Sequence, residues 1–81
     1  MSREEIFNIV KENIKEILLD IEIEKIGAAD SLRAIGANSI DRADIIINTM
    51  SQLKIKVNLV EFGKLSNIGE IVDLFYEKVN G

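Results

Sequence analysis

Histidine and cysteine are both missing from the 81 residues of this chain. With no imidazole to take a proton from a serine hydroxyl near neutral pH, a Ser-His-Asp triad is excluded by composition. A serine that carries chemistry here must therefore be a site that another enzyme modifies; no catalytic residue and no metal site are expected. The absence of cysteine also leaves no disulfide framework, which fits a cytosolic setting. Proline is absent too and only five glycines are present, so tight reversals are few and a helical domain is expected. No apolar run approaches the ~18–20 residues that a membrane-spanning helix needs. The charged start Met1-Ser2-Arg3-Glu4-Glu5 leads into no signal-peptide core, so a cytoplasmic location without membrane attachment is the expectation.

What remains is 47% hydrophobic and 30% charged, the balance of one small folded domain over residues 1–81. That length is close to the limit at which a single core suffices. The net charge of −4 comes with no Lys/Arg stripe and no interleaved aromatics, which argues against nucleic acid and favours partners with basic surfaces.

Four helix starts carry a capping signal, a short polar residue with an acid three positions later. They are Ser2 with Glu5, Asn38 with Asp41, Asn58 with Glu61, and Asn67 with Glu70. The first helix is expected from about Arg3 to Leu19, with Ile6, Phe7, Val10, Ile14, Ile17, Leu18 and Ile21 at helical spacing. A long connection follows to Asn38, and Ile26 and Leu32 are expected to pin it to the bundle. The second helix is expected from Ser39 to about Leu53 and the fourth from about Ile68 to Val79. Lys54 to Leu59 alternates like a half-buried strand, but no second such run exists to pair with it. It is read as a loop feeding a short third helix, Leu59 to Lys64. The expected architecture is an all-α four-helix bundle with a long first loop.

Steps of 100° around the second helix place Leu53, Ile46, Met50, Ala43, Ile47 and Ile40 on one arc of about 140°. Asp41, Arg42, Asp44, Asn48, Thr49, Ser51 and Gln52 fall on the other arc, with Ile45 alone among them. Periodicity favours the core for Ile40 and Ile47, at the edge of the apolar arc beside Asp44. An exposed strip facing a partner is the other reading. Ser39 likewise has two readings, since Asn38 and Ser39 are both good N-cap residues and the segment could be no more than a helix start.

Gly36-Ala37-Asn38-Ser39-Ile40-Asp41, opening the second helix of an acidic four-helix domain, resembles the acyl carrier proteins. Their signature runs glycine, any residue, aspartate, serine, leucine, with an acid two positions after the serine. Gly36, Ser39 and Asp41 match it and Ile40 is a conservative match, whereas Asn38 replaces the usual aspartate. The resemblance extends over the whole chain and includes Asn67-Ile68-Gly69-Glu70-Ile71 at the start of the last helix. It implies a covalent 4′-phosphopantetheine on Ser39, installed by a phosphopantetheinyl transferase. The arm would supply the thiol that this chain lacks.

The resemblance also implies partner recognition by Asn38, Ile40, Asp41, Arg42, Asp44, Ile47 and Met50. Arg42 interrupts the usual acidic face, so apolar contact through Ile40, Ile47 and Met50 should count for more. Asn38-Ser39-Ile40-Asp41-Arg42-Ala43-Asp44-Ile45 and Asn67 to Phe75 look like the stand-alone carriers of polyketide β-branching. That narrower resemblance implies an acyltransferase, a decarboxylating ketosynthase-like enzyme and a synthase resembling hydroxymethylglutaryl-CoA synthase as partners of a monomeric carrier. In such a cassette the carrier is malonylated and then presents acetyl. A generic polyketide or fatty-acid carrier, a peptidyl carrier, and a helical interaction domain in which Ser39 is only a cap are the competing readings.

Overall fold

In the computed structural model, which describes residues 1–81, three α-helices carry the fold: α1 (Arg3–Ile17), α2 (Ser39–Leu53) and α3 (Ile68–Asn80). Two 3-10 helices lie in the connections, at Ile23–Lys25 and Leu59–Lys64. The second is the expected short third helix with the expected bounds. The first, in the long loop, has no counterpart in the sequence reading. α1 packs against both α2 and α3.

The helices begin where their caps place them. Ser2, Asn38 and Asn67 each accept a hydrogen bond from the N–H three residues on, at 3.1, 2.8 and 2.8 Å, and Glu5, Asp41 and Glu70 reach back to the cap N–H. Asn58 departs from this pattern: its side chain accepts from Val60 N at 3.1 Å, and Glu61 pairs with Lys78 instead. The tighter 3-10 turn brings the second N–H, and not the third, under the cap. α1 stops at Ile17, two residues before the expected Leu19, whose side chain is exposed. α2 closes on Lys54, which adopts the left-handed conformation (φ 57°) and returns its N–H to Met50 and Ser51.

Lys54 to Asn58 forms no strand, although its alternation has a cause. Val57 is buried and Ile55 packs partly against the core, while Lys54 and Lys56, alternating with them, face solvent. The core itself joins Ile6, Val10 and Ile14 of α1, Ile45 and Ile46 of α2, and Ile68, Ile71, Val72 and Phe75 of α3. Phe62 closes it against Phe75, with ring centroids 4.9 Å apart. Ile26 and Leu32 are buried and pin the long loop, as expected. The same loop also caps α3, its Asp30 and Ala28 carbonyls accepting from Ile68 N and Gly69 N at 2.8 Å each. A Cβ at Gly69 would sit 3.2 Å from the Ala28 carbonyl oxygen, so this approach favours glycine.

The buried face of α2 differs from the sequence reading by roughly a quarter turn. Ile45 and Thr49, placed on the polar arc, are completely buried, whereas Ile40 and Ile47 are 71% and 44% exposed. A hydrogen-bond network across α1 and α2 is the physical reason. Asn13, buried on α1, donates from Nδ2 to Thr49 Oγ1 (3.0 Å), Gln52 Oε1 (2.7 Å) and Ile9 O (3.1 Å). Thr49 Oγ1 donates in turn to Ile45 O at 2.8 Å. Polar groups satisfied in this way enter a core without the desolvation penalty that hydropathy patterns assign to them.

The α1 cap has a pH consequence. The Ser2 backbone N–H, and then its hydroxyl, hold the Glu5 carboxyl below its usual value of 4.5, against a smaller opposing effect of burial. A carboxylate favoured in the folded state contributes stability that is complete above the unfolded-state value. That contribution is lost as the pH falls through the lower folded-state value. Glu5→Gln is therefore expected to lose less stability than the parent protein on acidification below about pH 5. Urea midpoints compared at pH 7 and pH 3 check this; parallel losses in the two proteins contradict it.

Candidate functional site

The approach to α2 is set by its backbone. Gly36 lies at φ +107°, its N–H bonds to Arg33 O at 3.1 Å, and the N–H of buried Ala37 bonds to Leu32 O at 3.0 Å. A Cβ at position 36 would meet nothing within 4 Å, so the requirement for glycine is conformational. Gly36→Ala is expected to cost about 1–3 kcal/mol in chemical denaturation; a neutral result would show that the turn relaxes freely.

Ser39 follows the Asn38 cap as the first residue of α2 and is exposed. Its hydroxyl takes part in no intramolecular hydrogen bond. The unpaired N–H groups of the first helical turn and the positive end of the helix dipole lie beside it and favour an anion on this oxygen. The chain has no histidine to take its proton, so Ser39 presents an accessible hydroxyl with no imidazole to activate it.

Ile40, Asp44 and Ile47 are exposed together with Ser39 along α2. Asp41 is half-buried, and its carboxylate accepts from Asn38 N at 3.4 Å, leaving Asp44 as the fully outward acid. Arg42 is half-buried and turns back on its own chain, donating from Nη1 to Ala37 O at 2.9 Å. Met50 also points inward: it packs against the core, and its Sδ accepts from Val57 N at 3.2 Å.

The sequence reading missed the exposed apolar pair Leu59 and Val60 on the second 3-10 helix. It also missed a cleft of about 430 Å³ one helical turn from Ser39, whose walls include Arg33, Arg42, Leu59 and Ser66. No periodicity marks residues gathered from a loop, a helix and a 3-10 turn. No group of His, Cys, Asp and Glu side chains is placed to hold a metal ion, and no helix is long and apolar enough to cross a membrane.

Residues 8–75 match the family of the phosphopantetheine attachment site. The chain is 34% identical over 79 residues to the polyketide biosynthesis acyl-carrier-protein AcpK of Bacillus subtilis, covering 98% of this chain and 96% of that protein. It is 35% identical over 78 residues to the acyl carrier protein of Thermotoga maritima, covering 96% of each. Its fold is similar to a chain in the crystal structure of the curacin biosynthetic pathway HMG synthase in complex with acetyl donor-ACP. That match has a TM-score of 0.85 and 36% identity, and covers 93% of this chain and 96% of that one. Taken with the free serine at the start of α2, these likenesses place the chain in the acyl carrier protein family, whose members are non-catalytic and carry 4′-phosphopantetheine covalently.

Proposed function

We propose that Ser39 is the attachment point of 4′-phosphopantetheine, and that the chain is the acetyl donor carrier of a polyketide β-branching system. The exposed, unbonded hydroxyl of Ser39 at the N-terminus of α2 carries the first part of this reading. It fits the group well: the oxygen is accessible to a transferase, and the helix terminus favours the phosphodiester that results. When bound, the group supplies a thiol that holds acyl groups as thioesters. The similarity to a chain of the complex between an HMG synthase and its acetyl donor carrier supports the second part.

In this reading the residues of α2 divide the work. Asn38 fixes the helix start and meets the transferase through hydrogen bonding, where an aspartate would offer charge. Ile40 and Ile47 supply apolar contact on either side of Asp44, which pairs with a basic partner surface; Asp41 and Met50 shape the edges of this strip. Arg42 acts through the Ala37 turn that it holds. The partners are a phosphopantetheinyl transferase, an acyltransferase, a decarboxylating ketosynthase-like enzyme and an HMG-CoA-synthase-like enzyme.

The test loads the modified protein with acetyl or with a long-chain acyl group and follows transfer with the synthase and an acceptor carrier. Acetyl is expected to transfer at least about tenfold better, and Arg42→Glu is expected to narrow that ratio. Equal transfer of both groups contradicts the donor role and leaves a generic carrier.

A further inference from the structure

Two of the three arginines in this acidic chain line one cleft. Arg3 pairs with Asp73 at 2.8 Å, but neither Arg33 nor Arg42 forms an ion pair, and both contribute to the walls of the cleft of about 430 Å³ beside α2. No aspartate or glutamate lines it, although acids outnumber bases by fourteen to ten in the chain. Its apolar lining includes Ile46, Phe62 and Ile71, so the cleft joins a hydrophobic surface to two arginines that have no acidic partner. Arg42 stands three residues after Ser39 and therefore on the adjoining turn of the same helix. Its single bond to Ala37 O uses one of five guanidinium N–H groups. Low-dielectric walls focus the field of two cations on whatever anion enters between them.

We propose that this cleft is an oxyanion subsite, in which Arg33 and Arg42 hold a carboxylate or phosphate tethered through Ser39. The inference rests on the attachment reading above and adds a ligand class to it. A short acyl group ending in a carboxylate suits the cleft in two ways: its chain lies on the apolar lining and its terminal charge meets the guanidinium forks. The phosphodiester of the arm presents the same chemistry closer to the serine. An acetyl group, with no terminal anion, gains nothing from the arginines.

Nitrogen-15 NMR of the arginine Nε groups separates these sources, using the unmodified, holo, acetyl-loaded and malonyl-loaded proteins, with the Ser39 modification verified first by mass. Arg3, held by Asp73, is the internal control. Movement of Arg33 and Arg42 only between the acetyl and malonyl forms identifies a carboxylate. Movement already complete between the unmodified and holo forms identifies the phosphodiester. In Arg33→Gln, an exposed position, the response at Arg42 is expected to fall about twofold or more, because one of two charges on the bound anion is gone. A loaded protein in which Arg33 and Arg42 shift no more than Arg3 at either step overturns this inference alone. Failure to modify Ser39 at all overturns it together with the attachment reading.

Discussion

Ile45→Ala is expected to destabilise the fold by about 2–5 kcal/mol, while Ile47→Ala, two positions along the same helix, costs about 1 kcal/mol or less. The two residues have the same side chain and differ only in which way α2 turns them. Ile45 is completely buried within the hydrophobic core, so truncation removes dispersion contacts and leaves a cavity. Ile47 remains 44% exposed, and much of its surface is already in water in the folded state. For a domain of this size the first change lowers the thermal midpoint by roughly 10 °C or more, and the second by a few degrees at most. Partner binding should respond in the opposite order, since exposed apolar anchors weaken a complex when truncated. Thermal denaturation of both variants checks the stabilities; a larger loss from Ile47→Ala would return that side of α2 to the core.

Ile45 and Ile47 also mark the boundary of what the sequence makes legible. The helix starts were readable because capping is local: Ser2, Asn38 and Asn67 satisfy N–H groups three residues away, and nothing distant is needed. Leu32 and Ile26 were readable as loop anchors because a long connection in a small domain needs an apolar tie. The orientation of α2 was not, because Asn13 and Thr49 lie 36 positions apart and each scores as a surface residue until the other is known to meet it. Once paired, they carry Ile45 inward and leave Ile40 and Ile47 outside. The resemblance of Gly36 to Asp41 to the carrier signature located the serine, whereas the direction of Arg42 toward Ala37 O depends on a turn that no local pattern describes. The cleft escaped for the same reason, since Arg33, Arg42 and Ser66 come from three separate elements.

Ser39→Ala is expected to abolish carrier function completely while leaving the fold intact. Ser39 is exposed and its side chain bonds to nothing, so alanine removes no packing and orphans no partner. Asn38 continues to cap α2 through its 2.8 Å bond to Asp41 N, and alanine is itself a good helix former. Stability should therefore stay within about 0.5 kcal/mol, a change typical of surface substitutions. Ser2, Ser31, Ser51 and Ser66 offer no substitute. Ser2 caps α1 and Ser31 Oγ accepts from Ala34 N, Ser51 lies in the last turn of α2, and Ser66 precedes the cap of α3. None of them opens α2 behind a glycine turn. The most direct measurement is the intact mass of the protein after incubation with coenzyme A and a broad-specificity phosphopantetheinyl transferase. The account predicts one added phosphopantetheine on the parent protein and none on Ser39→Ala with unchanged helical circular dichroism; modification that persists in the alanine variant would contradict it.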